Sequence, residues 1–271
     1  PREVGGEGRS MLFHFIFVEE MEYWGMPYGN LTFTSVAPTL AVFGSEAQKA
    51  EYLPGIYRGE LTFALGYSEP NAGTDLAALR TRAVCEGDDW VINGSKIYIT
   101  NAATADWLCL LAVTDADAGH GGFSQIIVPT DSPGFRYELL DKIGNWGSDT
   151  GQLFFEDVRV PVANTIGDIG RGFQQQMMQF QDERLVACVS SVASAQDVWD
   201  STRKWAEERI LFGKPLSKMQ NTQFKFVETL TESLTLKQTP VHTLAGPPHD
   251  PLDLRMARGL LVPPPLALSV P

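Results

Sequence analysis

The chain has 271 residues, 44% of them apolar and 20% charged, and carries a formal net charge of −12. That length supports one large core or two modest ones, and the composition is ordinary for a soluble globular protein. The acidic balance argues against a nucleic-acid partner and against an anionic membrane surface. Cys85, Cys109 and Cys188 are odd in number and far apart, which suits buried thiols in a reducing compartment. His14, His120, His242 and His249 show no metal-ligand spacing, so no metal site is expected. The longest early apolar run, 11–18, is too short to span a membrane, and no cleavage site follows it, so the protein reads as not secreted.

Residues 10–60 read as helical. Ser10 can cap a helix through Trp24, ended by Gly25 and Pro27, with Phe13, Phe17 and Met21 as its buried stripe. A second helix is expected from about Asn30 to Phe43. Ser45 and Gln48 form a capping box that opens a third helix, expected to stop near Pro54.

From Leu61 the period changes to that of strands. Candidates are 61–67, 79–85, 90–92, 96–100, 107–114, 123–129, 137–142 and 152–160. Many short strands joined by short turns predict an antiparallel barrel or sandwich. Asn93-Gly94 between apolar runs predicts a hairpin turn inside 89–100. Gly66-Tyr67-Ser68-Glu69-Pro70-Asn71-Ala72-Gly73-Thr74-Asp75 reads as a strand end running into a turn-rich loop. No Gly-x-Gly-x-x-Gly sits between a strand and a helix, so a Rossmann site is not indicated.

After Gly172 a long helix is predicted to about Leu211, with Phe173, Met177 and Phe180 in one stripe and Val189, Val192 and Val198 continuing an apolar face. A further helix starts near Ser217, with Gln220, Phe224, Val227 and Leu230 facing inward. From Thr239 prolines crowd the chain and an irregular tail, 239–271, is expected.

The joint pattern Tyr67-Ser68-Glu69-Pro70, Gly73-Thr74-Asp75 and Asn93-Gly94-x-Lys96-x-Tyr98-Ile99-Thr100-Asn101 resembles the flavin-binding region of the acyl-CoA dehydrogenase family. Thr74 stands where that family usually has Ser, and Tyr98 where it usually has Trp. Phe43-Gly44-Ser45-Glu46 and Tyr52-Leu53-Pro54 are similar to the same family. The resemblance covers about residues 1–230. It implies an α+β fold with three parts: a partial helical segment 1–60, a β-barrel flavin- and substrate-binding domain 61–165, and an incomplete helical bundle 166–238. Relative to that family the chain looks truncated at both ends.

The resemblance also implies chemistry. The family removes hydrogens from the α and β carbons of an acyl-CoA, using FAD and a carboxylate base. In the isovaleryl- and long-chain-like branch the base is a Glu just before an Arg on the first long helix. Glu183 falls there as the base and Arg184 as the residue that orients the site electrostatically; Asp182, on another face, is the weaker candidate for the base, and all three are expected to border the substrate. Leu65, Tyr67, Ser68, Gly73, Thr74, Tyr98, Ile99 and Thr100 match flavin contacts, and Thr74 is also expected to touch CoA. Arg209, Phe212 and Gln220 resemble residues that reach the FAD of a neighbouring subunit, which implies a homodimer or homotetramer. An electron-transfer flavoprotein is the implied electron acceptor; an acyl-CoA oxidase or a non-catalytic homologue acting by subunit association are the alternatives. The bacterial cytoplasm and the mitochondrial matrix both suit the composition.

Overall fold

A computed structural model of the chain describes Arg2 and residues 6–9, 11–26 and 31–244; the rest of the proline-rich end lies outside the described residues. The chain divides into two compact units, Gly29–Glu183 and Pro1–Tyr28 with Arg184–Pro271.

The first unit is built on a curled seven-stranded sheet. Its strands are β1 (Phe63–Gly66), β2 (Arg82–Glu86), β3 (Asp89–Thr100), β4 (Trp107–Val113), β5 (Phe123–Pro129), β6 (Phe135–Leu139) and β7 (Thr150–Pro161). The order is β1-β4-β2-β3-β7-β6, and β5 also pairs with β4. Four pairings are antiparallel, but β4 runs parallel to both β1 and β2. β4 is the most enclosed strand: Leu108, Cys109, Leu110, Leu111 and Ala112 are all fully buried, as an unbroken apolar run requires. They join Ile92, Ile126, Leu153 and Val158 in the core, each large aliphatic worth about 1.5–3 kcal/mol of burial.

The expected hairpin at Asn93-Gly94 does not form. β3 runs straight through it, flanked by β2 on one side and β7 on the other, and the reversal falls at Gly87-Asp88 instead. The Asn-Gly pair is used as a bulge. Gly94 has φ +147°, and a Cβ there would lie 2.6 Å from the Thr81 hydroxyl oxygen, so only glycine fits without strain. Asn93 clasps Asp157 of β7, donating from Nδ2 at 2.9 Å and accepting from the Asp157 amide at 3.0 Å.

Against this sheet pack a π-helical turn (Thr32–Val36), α2 (Ala37–Phe43) and α3 (Glu46–Tyr57). The capping box is present: Gln48 N–H donates to Ser45 Oγ and Ser45 N–H to Gln48 Oε1. α3 does not stop at Pro54 but carries it inside the helix to Tyr57, closing with Arg58 N–H on the Pro54 carbonyl. Tyr52 packs edge-on against Phe63 and Trp107, which fixes α3 to β1 and β4.

The second unit contains α1 (Met11–Tyr23), most of α4 (Gly172–Glu208), the two-stranded ribbon β8 (Ile210–Leu211) and β9 (Lys214–Pro215), and α5 (Gln220–Leu244). Its buried face differs from the expected stripes. Phe15 and Val18, not Phe13, Phe17 and Met21, turn inward and meet Val189. Phe17 is half exposed. Nearly every position from 11 to 18 is apolar, so helical spacing alone leaves the face undecided. On α5, Phe224 and Val227 are exposed while Phe226, Leu230 and Leu234 are partly buried, and Trp199 Nε1 donates to the Phe226 carbonyl at 3.1 Å. Val198 is exposed on α4. α5 continues through Pro240 to Leu244, helical where an irregular tail is expected to begin at 239.

Candidate active site

The loop after β1 is anchored by both backbone and side-chain hydrogen bonds. A tight reversal pairs Glu69 and Ala72, each donating its amide to the other's carbonyl. The Glu69 carboxylate accepts from the amides of Arg80 (2.7 Å) and Thr81 (2.8 Å). Lys96 of β3, with no exposed surface, donates to Glu69 Oε1 and to the Tyr67 carbonyl, both at 3.0 Å. Burial pushes the Lys96 ammonium down to about 8 although Glu69 opposes the shift. Burial pushes Glu69 up, but Lys96 and the two amides outweigh it and hold the carboxyl below its usual value.

This pair brings the predicted loop and strand residues together. Ile97 N–H donates to the Ser68 carbonyl at 2.9 Å, placing Ser68 beside the stretch that carries Tyr98 and Thr100. β3 is bulged between Lys96 and Ile99, and Tyr98 sits at φ 63°, a left-handed conformation uncommon for a non-glycine residue. The result is an aromatic ring 70% exposed on a strand otherwise tied down on both sides. The Ser68 and Thr100 hydroxyls make no hydrogen bond among the described residues, although both are half-buried. Gly73 and Thr74 are exposed at the loop's far side, with open space where a Gly73 Cβ would stand. An exposed aromatic ring on a strand that also carries an uncommitted hydroxyl, next to a loop that carries another, suits a planar, polar-edged heteroaromatic ring. Ile99 is buried in the core and Leu65 is half-buried, so Ile99 faces away from such a ring.

Tyr67 is also turned inward. Its hydroxyl, 7% exposed as a residue, donates to Gln179 Oε1 at 3.2 Å and lies 3.6 Å from Cys109 Sγ. Burial, then the neighbouring Cys109 and Glu183, raises the Tyr67 phenol well above its ordinary value, so it stays a neutral donor. Burial likewise pushes the Cys109 thiol up to about 12.

Glu183 is half-buried on α4, and its Oε1 accepts from Gln179 Nε2 at 2.8 Å, one helical turn earlier. The buried face of α4 in this unit is made of glutamines. Gln175, Gln176 and Gln179 are 3%, 0% and 7% exposed, whereas Met177 is exposed and Phe173 and Phe180 are only half-buried. The expected Phe173–Met177–Phe180 stripe is therefore not the buried face. Each glutamine meets a polar partner beneath: Gln175 Nε2 donates to the Ile166 carbonyl, Gln125 Nε2 donates to Gln176 Oε1, and Gln179 accepts from Thr39 and Tyr67. Sequence reasoning missed these three, and their spacing at i, i+1 and i+4 is the signal that marks a common face. The thiols differ from expectation too: Cys109 alone is buried, while Cys85 and Cys188 are exposed.

Arg184 is exposed and follows Glu183, and the Asp182 side chain lies outside the described ones. Arg209, Phe212 and Gln220 belong to the other unit. Phe212 and Gly213 form the β8–β9 turn in left-handed conformations, which leaves Phe212 95% exposed. Arg209 is exposed at the base of that ribbon, and Gln220 opens α5. Among the described residues there is no His, Cys, Asp and Glu cluster able to hold a metal, and no helix long and apolar enough to cross a membrane.

Comparison with known proteins agrees with the fold. The family models for the acyl-CoA dehydrogenase N-terminal, middle and C-terminal domains match residues 1–60, 64–158 and 170–257. Acyl-CoA dehydrogenase FadE26 of Mycobacterium tuberculosis is 42% identical over 211 residues, 76% of this chain and 52% of that protein. The probable acyl-CoA dehydrogenase YngJ of Bacillus subtilis is 37% identical over 86% of this chain and 62% of its own length. The crystal structure of an acyl-CoA dehydrogenase from Geobacillus kaustophilus superposes with a TM-score of 0.84 at 33% identity, covering 96% of this chain and 71% of that one. The chain belongs to the acyl-CoA dehydrogenase family. It spans about half to three-fifths of the length of these curated relatives.

Proposed function

We propose that this chain supplies the base and the ring-binding surface of an FAD-dependent acyl-CoA dehydrogenase, which converts an acyl-CoA thioester to its trans-2-enoyl-CoA. The observation that carries the reading is the placement of Glu183. Its carboxylate accepts from Gln179, whose amide oxygen in turn accepts from Tyr67, the residue before Ser68. Glu183 takes the proton from the α-carbon, and the neutral Tyr67 and Cys109 beneath it place no competing charge there. Ser68 and Thr100 hold the polar edge of the ring, Tyr98 covers its face, and Gly73 and Thr74 pass beside it, with Thr74 reaching the CoA. Bound there, FAD supplies the two-electron acceptor for the hydride that leaves the β-carbon.

Arg209, Phe212 and Gln220 serve the site of a second copy in a homodimer or homotetramer. The exposed guanidinium of Arg209 is shaped for a pyrophosphate, and Asp182 and Arg184 border the acyl-CoA beside the base. Electrons pass on to an electron-transfer flavoprotein; one similar solved chain is described with the electron transferring flavoprotein of Acidaminococcus fermentans. Relatives named long-chain specific and isovaleryl-CoA dehydrogenase are both mitochondrial, and FadE26 is bacterial, which supports a mitochondrial matrix or a bacterial cytoplasm.

The test is the visible spectrum of the purified chain, reconstituted with FAD, before and after anaerobic addition of a panel of acyl-CoAs. Bleaching by one of them is expected, and Glu183→Gln abolishes it. Bleaching that survives Glu183→Gln removes Glu183 as the base. Rapid reoxidation in air identifies an oxidase, and a chain that takes up no FAD but co-purifies with a full-length homologue supports a non-catalytic homologue acting by subunit association.

A further inference from the structure

The base is held by a side chain that is itself anchored from below. Gln179 is almost fully buried, so its amide cannot exchange partners with solvent. Its Oε1 accepts from Thr39 Oγ1 at 3.0 Å, and from Tyr67 Oη at 3.2 Å. The Glu183 carboxylate can only accept, so the end that meets it is the nitrogen and the oxygen turns to the Tyr67 hydroxyl; the single Thr39 proton serves either that oxygen or the Ser35 carbonyl. The nitrogen is left facing up the helix, where it meets Glu183 Oε1 at 2.8 Å. Thr39 is itself pinned: its hydroxyl also lies 2.8 Å from the Ser35 carbonyl, in the π-helical turn's last residues. The Tyr67 hydroxyl is flanked on its other side by Cys109, whose thiol donates to Gln125 Oε1 at 3.4 Å.

One carboxylate oxygen of Glu183 is thus committed to a donor fixed by α2 and by the residue after β1. Among the described residues the other oxygen, Oε2, takes no hydrogen bond. We propose that Gln179 is the positioning residue of the base: it anchors Oε1 of Glu183 so that Oε2 is the oxygen presented to the α-carbon of the thioester. This rests on the reading of Glu183 as the base. The same amide ties that base to the loop holding Ser68, because Tyr67 and Ser68 are consecutive. Proton acceptor and ring-binding loop are then registered to each other by one side chain. Misplacing a reacting group by about 1 Å is enough to cost on the order of a hundredfold in rate, so a fixed amide has a clear use here.

The test uses the full chain loaded with FAD and the acyl-CoA that bleaches it. Gln179→Met keeps the length and flexibility of the side chain while removing donor and acceptor. The expected result is a bleaching rate lowered roughly 10- to 100-fold, with the thioester dissociation constant within about twofold and FAD content unchanged. Tyr67→Phe, which keeps the buried ring, is expected to lower the rate about three- to tenfold in the same selective way. A Gln179→Met rate within about twofold of the parent overturns the proposal. So does a parallel loss of rate, thioester binding and FAD, which is what a merely structural glutamine gives. Should Gln179→Met fail to fold, Tyr67→Phe and Thr39→Val decide by the same criteria.

A second readout needs no turnover. In the 15N-labelled chain the Gln179 side-chain amide pair should shift on Glu183→Gln and stay put on Glu207→Gln; no response to Glu183→Gln overturns the proposal. Glu183→Gln measured alongside keeps the two readings apart. If it bleaches normally, the base assignment fails; if it is inert while Gln179→Met runs at the parental rate, the positioning role fails alone.

Discussion

Replacing Lys96 by Met tests whether the ion pair under the loop holds that loop in place. Lys96 has no exposed surface and Glu69 has 9%. With Nζ 3.0 Å from Oε1, an effective dielectric of about 20 gives an attraction of about 5.5 kcal/mol before desolvation is charged against it. The variant leaves Glu69 buried with two backbone amides and no cation. Breaking one partner of a buried pair costs about 3–5 kcal/mol, so Lys96→Met should lower unfolding stability by that amount. The assay is denaturant unfolding, with hydrogen exchange at the Arg80 and Thr81 amides, which donate to Glu69, as the local reporter. The double variant Lys96→Met with Glu69→Gln should recover at least half of the loss, because the uncompensated charge is gone. A single-variant loss under about 1 kcal/mol, or strict additivity in the cycle, would refute the argument.

The same lysine gives stability a pH dependence. Its folded value, about 8, lies below the ordinary 10.5 of the unfolded chain, so the unfolded state binds the proton more tightly between them. Its contribution to stability is present above the unfolded value and is lost as pH falls through about 8. The stability difference between parent and Lys96→Met should therefore grow in the parent's favour from about pH 8 to pH 10, and a flat difference would contradict it. Gly94→Ala should destabilise by about 1–3 kcal/mol, since the new Cβ would stand 2.6 Å from Thr81 Oγ1 and 2.7 Å from its Cα; thermal unfolding would show no drop if β3 simply shifted to absorb it.

Much of the architecture was legible along the chain. The change of period at Leu61, the capping box at Ser45 and Gln48, and the long helix after Gly172 all appear where local chemistry places them. The loop and strand residues Ser68, Tyr98 and Thr100 do come together, although the hairpin expected to join them does not exist. Their meeting depends on Lys96 and on the Ile97–Ser68 hydrogen bond, across a gap in sequence that no spacing rule spans. Faces were less legible than elements. α1 is apolar at nearly every position from 11 to 18, so its period could not select Phe15 and Val18 over Phe13 and Phe17.

By itself the sequence determined what depends on neighbours within a few residues: where helices begin, where strands run, and which loop carries hydroxyls around a reversal. Only the tertiary structure decided how shared groups were used. Asn93-Gly94 is a turn in isolation, but strands on both sides of β3 offer more hydrogen bonds to an extended chain than a reversal would satisfy, and the pair becomes a bulge. Gln176 and Gln179 are buried against Gln125, Thr39 and Tyr67, partners remote in sequence that no local pattern announces. Burying an amide costs less where a partner already stands to bond it, and that depends on the fold rather than on the residue.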